Sequence, residues 1–297
     1  MKTDTLGTPD RRRSVLRRML TGLAATGLGL VLAVPAAFAA PAAATPGSSG
    51  TTGPAGPGYA APFTDEDRLE LSRHSKWSRP LLGLVIALDP GHNGGNFQDM
   101  ARISERISDG RGGATACDSP GTSTHNGYRE HEFTFAVAEL LTEQLEYLGA
   151  TVVSTREDDD GVGPCEDVRG RFAEDHDVDA LLSLHAISSR DPEDTGFMVV
   201  VADPPLAPSQ EESSRDLARA VADAMQAAGF ESDPEADETL QGREDLASLN
   251  FARRPAVRVE LGQMYNRTEA ELMESEEGRV AYAEALAEGV LNWAAAR

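Results

Sequence analysis

Short apolar runs that alternate with helix-periodic segments leave this chain few folds to choose from. Leu84-Val85-Ile86-Ala87-Leu88 ends at Asp89-Pro90-Gly91, the pattern of a buried strand running into a turn. From Glu130 to Gly149 the apolar residues Phe133, Val137, Leu140, Leu141, Leu145 and Leu148 recur at helical spacing, and Gly149 stops the run. The same reading gives strands at Thr151–Thr155, Ala180–Leu184, Phe197–Val201 and Ala256–Leu261. It gives helices at Arg169–Asp175, Ser213–Gly229 and Glu269–Ala296. Strands that alternate with helices predict an α/β fold: a single domain built on a mostly parallel, twisted sheet with helices on both faces. Sites in such sheets collect at the carboxyl ends of the strands.

The ends of the chain read differently. Residues 11–18 hold five arginines, residues 19–34 are almost wholly apolar or small, and Ala37-Phe38-Ala39 offers a small-x-small cleavage site. Residues 1–39 are therefore expected to be an export signal. Arg12-Arg13-Ser14-Val15-Leu16-Arg17 resembles the twin-arginine type, with ordinary secretion the other route. Residues 40–62 are mostly Ala, Pro, Gly, Ser and Thr without charge, a flexible linker, which leaves 63–297 as the folded part. The protein is expected outside the cytoplasm, in the cell wall or secreted. No internal repeat and no second domain for docking on a polymer is evident.

Charge narrows the partners. The chain has 27 Lys+Arg and 49 Asp+Glu; residues 1–39 hold six and two of these, so the remainder carries 21 against 47, or −26. That balance excludes nucleic acid, whose binding needs clustered cations to displace counterions. It also disfavours steering onto an anionic polymer, and the surplus acid is read instead as solubility in a salty medium. The two cysteines, Cys117 and Cys165, are expected to pair in an oxidising compartment, and no CxxC spacing suggests a metal site made from them.

The layout singles out four residues. His92 follows the first strand, His185 ends Leu181-Leu182-Ser183-Leu184, and Glu260 lies near the end of the last strand. At 100° per residue Glu130 falls inside the apolar stripe of its helix, whereas Glu132 lies about 200° round; an unpaired carboxylate in that stripe would be costly. His92, Glu130 and His185 brought together make a three-ligand catalytic zinc site with a position left for water, and Glu260 is then the base for amide hydrolysis. Separations of this length carry no local signature such as HExxH. No GxSxG supports a serine hydrolase, no GxGxxG a nucleotide site, and Glu157-Asp158-Asp159-Asp160 lacks the ligand spacing of a calcium loop and reads as a solvated turn. His125 and His131 read as loop and helix-surface residues. The long polar segment between Asn93 and Gly127 is expected to line or cover the cleft, pinned there by the disulfide.

Asp89-Pro90-Gly91-His92-Asn93-Gly94-Gly95, Gly127-Tyr128-Arg129-Glu130, Ser183-Leu184-His185-Ala186 and Pro255-Ala256-Val257-Arg258-Val259-Glu260-Leu261-Gly262 resemble, in order and spacing, the four motifs of the zinc-dependent N-acetylmuramoyl-L-alanine amidases of the amidase 3 type. Gly149–Arg156, Arg169, Ala173, Asp179 and Asn266 extend the resemblance over residues 80–296. The paired cysteines, the segment Gly242–Ala247 and the lack of a wall-binding module are most similar to the single-domain enzymes of mycobacteria and other actinobacteria. The resemblance implies zinc on His92, Glu130 and His185, catalysis by Glu260, and cleavage of the amide between N-acetylmuramic acid and L-alanine in peptidoglycan. A monomer is the default. A catalytically silent wall-binding protein and a zinc peptidase cutting within the stem peptide are the alternatives. Two positions depart from the family pattern: Ile187 stands where asparagine is common, and Arg258 where an aliphatic residue is usual. Strand alternation puts Arg258 on the side of Glu260, where a nearby acid is its expected partner.

Overall fold

A computed structural model describes residues 79–189, 191–234 and 239–297. The expected export signal (1–39), the linker (40–62) and the first residues of the folded part (63–78) lie outside the described residues. In chain order the strands are β1 (Val85–Pro90), β2 (Arg106–Ser108), β3 (Ala114–Ala116), β4 (Thr151–Ser154), β5 (Ala180–Ile187), β6 (Met198–Ala202), β7 (Leu240–Arg243) and β8 (Ala256–Gln263). The helices are α1 (Met100–Ile103), α2 (Glu130–Tyr147), α3 (Glu166–Asp175), α4 (Glu212–Ala227), α5 (Ala247–Phe251), α6 (Arg267–Glu274) and α7 (Glu276–Ala295). Among the described residues no helix is long and apolar enough to cross a membrane.

Six strands form one sheet in the order β4-β1-β5-β8-β6-β7, and β2 pairs with β3 as a separate antiparallel hairpin. All pairings in the main sheet are parallel except β6 with β8. The exception has a simple cause. Only ten residues join β5 to β6, with no helix among the described ones, too short a path for the crossover that a parallel return requires.

The period of two decides which side chains meet which helices. Ile86, Leu88, Leu182, Leu184, Val257 and Val259 face a core shared with α2, α4 and α7. The alternate residues Ala87, Leu181, Val200 and Ala256 face a smaller core with α3 and α5. Both faces are thereby covered, as near-continuous apolar strands demand.

The single helix expected over 269–296 is two. Ser275 adopts an extended backbone, its Oγ accepts from the N–H of Gly278 at 3.0 Å, and it caps α7 while ending α6. An N-cap serine inside an Ala/Glu-rich run outweighs the composition around it. The helix expected from Arg169 begins earlier, at Glu166, with Cys165 as its cap.

Candidate metal centre

Topology gathers the site. With β5 between β1 and β8, the loop after β1 and the ends of β5 and β8 lie side by side at the carboxyl edge. His185 and Glu260 are direct partners in the β5–β8 register, just before a bulge. Glu130 is the first residue of α2, whose start is fixed by the Glu132 carboxylate accepting from the Arg129 N–H at 3.0 Å. The structure thus brings together the four residues that the sequence singles out.

His92 Nε2 and His185 Nδ1 each lie 3.1 Å from Glu130 Oε1, with the two rings edge to face at 4.9 Å. Their exposures are 8% for His92, 3% for Glu130 and 3% for His185, so all three are withdrawn from bulk water. One donor atom from each falls within 4.8 Å of the others, close enough to share a metal ion. Glycine keeps the cradle open: a Cβ on Gly91 would stand 2.3 Å from the His185 ring. Glu130 is anchored further by the N–H groups of Thr122 (2.9 Å) and Ala186 (3.1 Å).

Electrostatics match this donor set. Burial opposes a charge on His92, but the Glu130 carboxylate and Asp118 overcome it and raise the ring to about 10. Burial likewise opposes the Glu130 charge, yet the two histidines hold its carboxyl well below the usual range. A buried carboxylate that draws positive charge this strongly suits a cation.

Glu260 stands at the cleft, partly exposed, with Arg258 Nε 4.0 Å from its Oε1. Arg258 also reaches Glu166 Oε1 at 3.2 Å and lies 2.7 Å from His185 Nε2. The acid near the site expected to pair with Arg258 is therefore Glu166, at the start of α3. Ile187 ends β5, and two residues on the Ser189 N–H donates to the Gln263 side chain at 3.1 Å.

The cleft holds about 480 Å³, and Thr115, Ala116, Asp118, Ser119, Gly121 and Thr122 line one side of it. The segment between Asn93 and Gly127 is thus a wall of the site. Cys117 and Cys165 are joined by a disulfide that ties this wall to α3.

Two readings of the sequence need correction. His131 is buried rather than on the helix surface, with Nδ1 2.8 Å from Asp159 Oδ2, because the 157–163 loop folds over the start of α2. The acidic run is accordingly not all solvated, since Asp159 also accepts from Arg156 Nη1 at 2.8 Å. His125 is an exposed loop residue against the Tyr265 ring, 4.6 Å away. Asp118, whose place beside the site sequence reasoning missed, had one available signal: it is the acid directly after a cysteine expected to be cross-linked.

Comparison with known proteins agrees with this geometry. Residues 86–292 match the amidase 3 family, described as N-acetylmuramoyl-L-alanine amidase. The chain is 41% identical over 219 residues to the N-acetylmuramoyl-L-alanine amidase Rv3717 of Mycobacterium tuberculosis, covering 72% of this chain and 88% of that one. Its fold is similar to crystal structures of the N-acetylmuramyl-L-alanine amidase Ami1 from Mycobacterium smegmatis (TM-score 0.70, 35% identity, 73% of this chain and 99% of that one). It is similar as well to the apo form of Ami1 from Mycobacterium abscessus (TM-score 0.69, 39% identity, 71% and 99%). With the four motifs in one cleft and this likeness along nearly the whole described chain, the protein belongs to the N-acetylmuramoyl-L-alanine amidases of the amidase 3 family.

Proposed function

We propose that this amidase is a zinc-dependent, exported enzyme of cell-wall remodelling that hydrolyses the amide between N-acetylmuramic acid and L-alanine, leaving the glycan intact and releasing the stem peptide. The observation that carries the reading is the buried His92, Glu130 and His185 cluster with Glu260 across the same cleft. Two imidazole nitrogens and a carboxylate fit zinc with a position left for water, the arrangement of catalytic sites.

Bound there, zinc would supply Lewis acidity to the amide carbonyl and acidify a water molecule. His92, Glu130 and His185 would hold it. Glu260 takes the proton from the attacking water and returns it to the departing alanine nitrogen, so that the C–N bond breaks with a neutral amine leaving. Arg258 sets a positive charge beside the Glu260 carboxylate, its Nε 4.0 Å from Oε1. The wall formed by Thr115–Thr122 lines the cleft beside the ligands. Export rests on the character of residues 1–39.

The test is mass spectrometry of a defined muropeptide incubated with the enzyme, with and without a chelator. Free stem peptide beginning at L-alanine, abolished by chelation and restored by zinc, is expected. Cuts inside the stem would make it a peptidase, and an intact muropeptide beside zinc-loaded protein would make it a silent wall binder.

A further inference from the structure

We propose that Asp118 is the positioning residue for His92, and that the Cys117–Cys165 disulfide governs how tightly the site holds zinc by keeping Asp118 in place. This rests on the reading of His92, Glu130 and His185 as metal ligands and adds to it a control that lies outside the three ligands.

His92 has a ring with two faces of use. Nε2 points to Glu130, while Nδ1 lies 3.0 Å from Asp118 Oδ1 and 3.0 Å from the Ser119 carbonyl. With two acceptors at Nδ1 the hydrogen on that nitrogen stays there, so that a metal replacing the Nε2 proton would meet the Nε2 lone pair facing the ligand cluster. The backbone of His92 is itself in the left-handed region, φ 60°, a conformation that a non-glycine residue keeps only when its surroundings over-determine it.

Arg169 supplies that constraint. It is fully buried, and its Nη2 donates to the His92 carbonyl at 2.8 Å and to Asp118 Oδ2 at 3.1 Å. One guanidinium therefore grips both the main chain of His92 and the carboxylate behind its ring. Nη1 is held in turn by Asp89 Oδ1 at 2.7 Å and the Pro90 carbonyl at 2.9 Å.

Asp118 and Arg169 come from distant segments, and the disulfide joins those segments next to both. Cys117 immediately precedes Asp118. Cys165 caps α3, and its carbonyl accepts from the Arg169 N–H at 3.0 Å. The Glu166 N–H donates to the Cys117 carbonyl at 2.8 Å and closes the junction. The hairpin that leads into Cys117 has only three residues in each strand, none of them buried, and the N–H groups of Cys117 and Asp118 bond back to the Glu105 and Ile103 carbonyls of the same segment, so the disulfide is what joins this segment covalently to α3. Breaking the cross-link should let the carboxylate drift from His92 while leaving all three ligands in the chain.

The experiment measures the zinc dissociation constant of the full chain by competition with a chromophoric chelator at 25 °C, with circular dichroism to confirm folding. The variants are Asp118→Ala, Asp118→Asn, Cys117→Ser with Cys165→Ser, and the triple combination. Loss of an outer-shell partner typically weakens metal binding ~10–100-fold. We expect that range for Asp118→Ala, a smaller loss for Asp118→Asn because its amide oxygen still accepts from Nδ1, and roughly tenfold for the cysteine pair. Acting through Asp118, the cysteine changes should add nothing further to Asp118→Ala; if that variant does not fold, the same cycle is run with Asp118→Asn. Additive losses, or equal affinity in every variant while the parent binds zinc, would overturn this inference and leave the metal site standing. A parent that binds no zinc would overturn both.

Discussion

Glu260 is directly across from His185 in the sheet register, yet it is not among the three residues whose donor atoms converge. Under the proposed function it is therefore the base and not a ligand. Glu260→Gln is expected to retain zinc by metal analysis and to lose at least ~100-fold in kcat on a defined muropeptide, the usual scale for a positioned general base. Asp89 has a different task. Burial pushes its carboxyl up, and the Arg169 charge with hydrogen bonds from Ser183 and Thr155 outweighs this and brings it from 3.8 down to about 2. A carboxyl depressed on folding favours the folded state above its ordinary value by about 2 kcal/mol here, and the advantage is lost as pH falls through about 2. Asp89→Asn should therefore lower stability at neutral pH by about 3 kcal/mol, since Arg169 is left buried without its partner. Urea unfolding across the acid range should show the gap to the parent narrowing as pH drops; a constant gap would assign Asp89 a purely steric role.

At the scale of elements, α3 and α5 approach through a glycine. A Cβ on Gly170 would lie 2.3 Å from the Ser248 carbonyl oxygen and 2.8 Å from the Phe251 Cβ. Alanine normally gains about 1 kcal/mol over glycine in a helix, whereas overpacking costs about 1–3 kcal/mol. Against backbone that cannot rotate away, the clash should win. Gly170→Ala is expected to destabilise by about 1–2 kcal/mol in urea unfolding, and a stabilised variant would show that α5 can shift. This contact leaves no mark on the periodicity of α3. The strands and long helices were legible because their periods are local. The β2–β3 hairpin and β7 were not, since three- or four-residue strands with mixed polarity have too little pattern to separate from loops, and the antiparallel course of β6 leaves no mark on the period of the strand itself.

For the whole molecule, the cross-link closes a separation of 48 residues. In the chain-entropy model this stabilises by about 4 kcal/mol. For a domain of this size calorimetry of the Cys117→Ser, Cys165→Ser protein should show a Tm lower by roughly 10 °C. A shift of a degree or two would mean that the segments stay joined through the hydrogen bond between Glu166 and Cys117 and through Arg169.

The sequence alone determined the class of fold and which residues gather at the edge of the sheet. Near-continuous apolar strands between amphipathic helices admit little except a covered, mostly parallel sheet, and in such a sheet residues just after strands share one edge. His92, His185 and Glu260 could be picked out for that reason, and Glu130 because a carboxylate inside an apolar stripe must find a charge to neutralise it. Only the tertiary structure decided the strand order β4-β1-β5-β8-β6-β7, the burial of His131 against Asp159, and the meeting of Asp118 with Arg169 behind His92. Those contacts join segments far apart in the chain, and the interaction of two side chains that meet only after the sheet has assembled imposes no period on either segment.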